Sequence, residues 1–307
     1  MPNIRTVDFF SKPTVLFLGA GASLEYGFPL GPRLRTDVLN NLSGQGGSAL
    51  LKKCGIDEES IRLFGRALRY GKYETIDAFL EQKPQFRKAG SLLVANTLIQ
   101  SERTDLFQTN PDGWYERLYG TLALDQGSPG VLPVSIVTLN YERSLEHYLR
   151  ERITYGPDHI EKAAIEKLQS IPIVHAHGTL GSYPEVKYGD LGANNSDALL
   201  SAVRNAAESL RIVTDRLSDS AAFQEARRLV HEAKNIIFLG FGYHKATIDA
   251  MFAGCDQKDK ELFGTAFGLA GTARDRVAAR FGVEIHLGNE QHGCGAYLNE
   301  IGFFKAA

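Results

Sequence analysis

Three cysteines in 307 residues, Cys54, Cys255 and Cys294, stand far apart and never in Cys-x-x-Cys spacing. That scarcity argues against both a disulfide framework and a structural zinc site, so no metal ligand set is expected. Long apolar runs are lacking too: none approaches the roughly 20 residues of a membrane helix. The N-terminus carries no basic stretch followed by an apolar export segment, which makes the cytoplasm the default address and a membrane an unexpected partner. Charge of one sign is likewise missing. With a net charge of −2 and a pI of about 6.5, no overall field recruits nucleic acid, and direct nucleic-acid binding is not expected. The arginines of Arg62 to Arg69 and Arg274 to Arg280 fall at helical spacing, as on a solvated helix face.

What is present is a globular composition, 43% hydrophobic and 23% charged, long enough for one large α/β domain with an inserted subdomain. Thr14 to Leu18 is a short apolar run ended by Gly19-Ala20-Gly21-Ala22-Ser23. It suits a parallel strand buried on both faces, feeding a tight turn whose outward amides could meet an anionic phosphate at a helix N-terminus. A plain strand-to-helix connection has the same appearance. The dehydrogenase version of the motif is disfavoured: Leu24 occupies its third glycine position, and Asp37, at the distance of the ribose-binding acid, lies in helical spacing.

From Pro32 the pattern turns helical for about 100 residues, with helices expected over Arg33 to Leu42, Ile61 to Leu68, Thr75 to Gln82, Ser91 to Leu98 and Trp114 to Leu122. Ser43 to Ser48 reads as a glycine-rich turn. The chain is therefore read as a single domain, 1–307, with a helical insertion over 31–130 after the first strand. Strands are then expected at Val134 to Thr138, Ile171 to Val174, Asn235 to Leu239, Thr265 to Leu269 and Val283 to Leu287. Helices are expected at Ser144 to Arg152, Ala221 to Ala233, Ala246 to Phe252 and Thr272 to Phe281, and a mobile loop over Gly181 to Asn195. The expected fold is a Rossmann-like, doubly wound parallel sheet of about six strands.

In such a sheet, ligands bind outside the carboxyl ends of the strands. The glycine and polar residues Gly19 to Ser23, Asn140, His177, Gly240 to Gly242 and Gly288-Asn289 all fall at such ends. Each has a plainer reading: Asn140 could cap the helix near Ser144, and His177 could be a core histidine. His175 and His177, two apart on a strand, would face the same way like metal ligands, but no third ligand is recognisable.

Taken together, Gly19-Ala20-Gly21-Ala22-Ser23 with Gly27-Phe28-Pro29, Thr138-Leu139-Asn140-Tyr141-Glu142, His177-Gly178 and Gly240-Phe241-Gly242 resemble the sirtuin superfamily. The four-cysteine zinc module of protein deacylases cannot be built here. With Leu139, Glu142 and Leu30 at positions where that family usually has Gln, Asp and an acid, the chain looks more like divergent bacterial sirtuin-like domains of antiphage defence. The resemblance implies NAD as a consumed substrate: a hydrolase of the nicotinamide–ribose bond. The other readings are a deacylase or ADP-ribosyltransferase, and a non-catalytic sensor of NAD or ADP-ribose.

On that basis each strand end receives a task. Gly19, Ala20, Gly21, Ala22 and Ser23 would cradle the pyrophosphate through backbone amides and the Ser23 hydroxyl. Asn140 would bind a ribose hydroxyl and orient water, and His177 would serve as general base. Glu142 would contact the nicotinamide carboxamide and Phe28 would cover its ring. Gly240, Phe241 and Gly242 would let backbone approach the adenosine half, with Asn289 at the adenine ribose. Tyr26, Tyr141 and Tyr243 are read as packing. Since an unregulated NAD hydrolase harms its own cell, control by homo-oligomerisation, a regulatory protein subunit or a small-molecule signal is expected.

Overall fold

The computed structural model describes residues 8–122, 133–155, 171–182, 185–189, 196–211 and 220–304. Six parallel strands form one sheet: β1 (Thr14–Leu18), β2 (Val134–Thr138), β3 (Ile173–His175), β4 (Asn235–Leu239), β5 (Glu261–Gly264) and β6 (Ile285–Leu287). Their order is β3-β2-β1-β4-β5-β6, the Rossmann-like arrangement in which the chain leaves β1 toward one edge and later returns to build the other. Leu18, the last residue of β1, pairs with Thr138 on one side and Leu239 on the other. That register brings Gly19, Leu139 and Gly240 out of the sheet at one level.

The uninterrupted apolar runs follow from burial on both faces. Leu16, Leu18, Ile136, Ile237, Leu239 and Phe263 belong to one core, while Val15, Phe17, Val137, Ile236, Phe238 and Leu262 belong to the other. Alternation along each strand thus feeds two separate helical layers, because successive side chains point to opposite faces.

The first layer comes from between β1 and β2: α1 (Gly31–Ser43), α2 (Gln45–Lys53), α3 (Glu58–Tyr70), α4 (Ile76–Gln82), α5 (Arg87–Gln100), α6 (Asp105–Thr109) and α7 (Trp114–Thr121). Asp57 and Thr75 cap α3 and α4 by accepting the N–H groups of Ser60 and Ala78. α5 is buried at every position from Ala89 to Ile99, which makes it the axis of the insertion. After α8 (Ser144–Thr154), α9 (Asp197–Ser209) packs against α5 and joins the same layer. The second layer holds α10 (Ala221–Glu232), α11 (Lys245–Phe252) and α12 (Thr272–Ala278); α13 (Cys294–Glu300) follows β6. No described helix is long and apolar enough to cross a membrane.

Several elements differ from the sequence reading. The fifth strand is Glu261–Gly264, not Thr265 to Leu269, where Gly268 takes a left-handed φ of 72°. The expected turn at 43–48 is mostly helix, since α2 starts at Gln45 and anchors itself through buried Leu50 and Leu51. Gly19 is followed by a seven-residue 3-10 helix, Ala20–Tyr26, not by an α-helix. The expected mobile loop is fastened where it is described. Arg143 donates to the carbonyls of Val186 and Lys187, and Tyr188 stacks on His147 at 4.1 Å. The remainder of that loop, and the end of the insertion beyond 122, lie outside the described residues.

Candidate functional site

The point of interest lies above the carboxyl end of β1, where chain connections diverge toward β2 and β4 and where sheets of this order generally take ligands. Its β4 side is made of glycine against glycine. Gly19 donates its N–H to Leu239 O at 2.9 Å, Gly21 to Gly240 O at 2.9 Å, and Ala22 back to Gly19 O at 2.9 Å. A Cβ on Gly240, whose φ is 58°, would fall 2.1 Å from the Ala22 nitrogen, and one on Gly21 would fall 2.8 Å from Gly240 Cα. These glycines permit two backbone turns to touch. Three of the amides assigned to a pyrophosphate cradle are therefore spent inside the protein, so a dinucleotide cannot be held by them in this arrangement.

The β2 side is polar and only partly satisfied. Asn140, buried at the end of β2, donates its side-chain amide to Gly19 O at 3.1 Å, Glu142 Oε1 at 3.2 Å and Ser23 Oγ at 3.4 Å. Among the described residues nothing donates to its Oδ1. Asn140 does not cap α8. That work falls to Glu142, whose Oε2 accepts the N–H of Ser144 at 2.7 Å. Burial raises the Glu142 pKa, and its hydrogen bonds from Ser144 act in the opposite sense. Glu142 thereby holds Asn140 and the helix start in place.

His175 and His177 do different things. β3 ends at His175, so strand alternation does not extend to His177, which stands in the following turn. His175 Nδ1 meets Asn140 O at 2.8 Å and Nε2 meets the Glu146 carboxylate. Burial disfavours its charged form, but Glu146 outweighs burial and its pKa stands above the usual imidazole value. His177 has a ring with no hydrogen-bond partner among the described residues, and burial pushes its pKa down to about 4. It is a neutral imidazole at pH 7. Its carbonyl accepts the Arg211 N–H at 2.8 Å, and Gly178, at φ 84°, lies so close to Ser209 O that a Cβ would sit 2.1 Å away. Backbone alone fixes this turn.

The remaining assigned residues spread out. Ser23 is buried, its hydroxyl donating weakly to Ala20 O at 3.4 Å while facing Asn140. Phe28 is 2% exposed within the insertion-side core, and Phe241 packs on Phe17 and Phe238 in the other. Gly242 lies beside the His244 ring. Asn289 is exposed beyond β6 at the sheet edge, its Oδ1 closing a turn on the Gln291 N–H.

Two features escaped the sequence reading. The insertion braces the glycine turn: Trp114 Nε1 donates to Ala22 O at 2.8 Å, Tyr115 stacks on Tyr26 at 3.7 Å and its hydroxyl pairs with Ser144 Oγ at 2.7 Å. Asp77, on the first turn of α4, meets the Tyr141 hydroxyl at 3.1 Å. Neither left a signal, since an acid at a helix start and an aromatic at helical spacing are ordinary.

Among the described residues no group of three or more His, Cys, Asp and Glu side chains is placed to hold a metal. No protein-family model and no curated protein matches the sequence.

Proposed function

We propose that this chain is an NAD⁺ hydrolase that cleaves the bond between nicotinamide and ribose. The observation that carries the reading is the pairing, at adjacent strand ends, of Asn140, whose Oδ1 accepts nothing from the protein, with His177, a neutral imidazole lacking a protein partner. Polar atoms that no protein group engages are open to a ligand or to water. The motifs that resemble the sirtuin superfamily supply the identity of that ligand.

In the proposed reaction, water adds to the anomeric carbon of the nicotinamide ribose as the C–N bond breaks. The bonding pair leaves with the ring, which becomes neutral nicotinamide, and the proton lost by water passes to His177. Asn140 Oδ1 accepts from the water or from a ribose hydroxyl, held in orientation by its three acceptors. The pyrophosphate is bound elsewhere than on the amides of Gly19, Gly21 and Ala22, at the open rim of the crevice. Depletion of NAD⁺ fits a role in antiphage defence, with control by self-association or a partner subunit.

The test is to incubate the chain with NAD⁺, alone and with the products of its neighbouring genes, and to identify products by mass. Nicotinamide with ADP-ribose, in equal amounts, is the expected result. Consumption of NAD⁺ only in step with an acylated peptide would replace the reading with a deacylase. Tight binding without nicotinamide release under any condition would replace it with a sensor. Rapid hydrolysis by isolated resting monomer would contradict the proposed control.

A further inference from the structure

β2 ends at Thr138, and Asn140 stands beyond it, outside the sheet ladder. Its peptide is held by side chains instead. The Asn140 N–H donates to Thr138 Oγ1 at 3.0 Å, and among the described residues the one group that meets Asn140 O is the His175 ring, through Nδ1 at 2.8 Å. The other ring nitrogen, Nε2, meets the carboxylate of Glu146 on the first turn of α8. Both nitrogens of His175 are therefore used inside the protein, and the ring is a support for Asn140 rather than a partner for a ligand.

A carbonyl oxygen only accepts, so this arrangement requires a proton on Nδ1. Glu146 decides where a lone ring proton goes. Its charge-assisted bond is the stronger of the two, so a ring with one proton keeps it on Nε2 and turns the Nδ1 lone pair toward the lone pairs of Asn140 O. Only the doubly protonated ring donates to both partners at once. The surroundings favour that form. Burial works against the charged ring, but Glu146 outweighs it, and the bond to Asn140 O and the charge of Glu142 act in the same direction as Glu146. Ile173, two residues back on β3 and so on the same face as His175, joins the insertion-side core with Leu145 and Leu149 of α8. α10 packs on β3 from the other face, where Phe223 and Val230 belong to the second core. Its charged and titratable groups turn elsewhere: Arg228 pairs with Glu225 and Glu232, Arg227 donates to Ala253 O, and His231 meets Met251 O.

We propose that His175, held between Glu146 and Asn140, is a positioning residue: as an imidazolium it clamps the Asn140 carbonyl and so fixes how Asn140 presents Oδ1, and loss of one proton releases the clamp. The clamp itself is independent of the ligand, whereas its effect on turnover rests on the NAD reading above. The two neighbouring histidines thereby take opposite tasks, His177 neutral and open, His175 charged and enclosed.

The full chain is isotopically labelled at histidine and asparagine nitrogens, and its ring and side-chain amide resonances are followed by NMR from about pH 6 to 9, with His175 assigned by its loss in His175→Asn. At the acid end His175 should carry protons on both nitrogens. It should lose that on Nδ1 at a midpoint above the usual imidazole value, and the Asn140 side-chain amide should shift with the same midpoint. Glu146→Gln, whose amide can donate to Nε2 and leave the ring proton on Nδ1, should abolish that shift. Where the chain cleaves NAD⁺, nicotinamide release by wild type should fall roughly tenfold or more through the midpoint, while Glu146→Gln shows no such fall. His175→Asn, which keeps a donor near the Nδ1 position and cannot titrate, should also lack the fall and serves if Glu146→Gln fails to fold. A single ring proton on His175 at the acid end, or an Asn140 amide indifferent to the titration of the ring, overturns the proposal even if NAD⁺ is cleaved. The coupled titration with no nicotinamide release under any condition supports the clamp and removes the hydrolase reading.

Discussion

The two sides of the crevice use the same kind of strand end for opposite purposes. On the β4 side, Gly19, Gly21 and Gly240 bring two turns into backbone contact; the N–H groups of Gly19 and Gly21 are consumed by Leu239 O and Gly240 O, and that of Gly240 by Thr265 Oγ1. On the β2 and β3 side the backbone is tied down, Asn140 by its N–H to Thr138 Oγ1 and the His177 turn by Arg211, and Asn140 Oδ1 and the His177 ring are left open. A glycine motif is thus no guarantee of a phosphate cradle, since absence of Cβ serves a neighbouring backbone as well as a ligand.

This contrast can be broken from either side. The largest effect is expected from Gly240→Ala, which demands a left-handed φ from alanine and places its Cβ 2.1 Å from the Ala22 nitrogen. Loss of roughly 3 kcal/mol or more is expected, seen as a collapse of the chemical denaturation midpoint; a near-native midpoint would show that the two turns do not touch. His177 comes next. Its folded pKa of about 4 lies below the ordinary 6.5, so between these values the unfolded chain binds a proton that the folded chain does not. Its contribution is fully present above pH 6.5 and is lost as pH falls toward 4. Melting curves of wild type and His177→Asn should diverge across that window by up to about 3 kcal/mol, with wild type the more acid-sensitive; parallel curves would mean that the ring is solvated.

Gly21→Ala should cost about 2 kcal/mol, less than Gly240→Ala because its backbone is not left-handed and its closest clash is 2.8 Å. The smallest effect is expected from Trp114→Phe, which removes the donor to Ala22 O and should cost about 1 kcal/mol. If that change instead abolished nicotinamide release with stability retained, the brace from the insertion would be part of the catalytic arrangement.

The fold was largely legible because both-face burial writes long apolar runs into β1, β2 and β4, each close to its expected span. β5 was misplaced because Glu261-Leu262-Phe263-Gly264 is short and offers only two core side chains, so pairing with β4 decides its position. α2 forms in spite of Gly46 and Gly47 because packing of its leucines overrides local preference. Asn140 and His177 were read as candidates from their place at strand ends, and they do stand just past β2 and β3. The engagement of Glu142 by Ser144 was not legible, since it is set by the local turn of the backbone into α8, and the burial of Phe28 was not, since it depends on a layer whose packing sequence does not reveal. Asp77 was invisible for the same reason: it is 63 residues upstream of Asn140, and only the return of the insertion over the sheet brings it near.

The central claim is that Asn140 and His177 flank the labile bond, and nicotinamide release by stability-matched variants tests it most directly. Under conditions where wild type cleaves NAD⁺, His177→Ala should slow release by about 10²–10⁴-fold, and Asn140→Ala by an amount of similar order, with both proteins still folded by melting temperature. Rates within a few-fold of wild type in both variants would contradict the account.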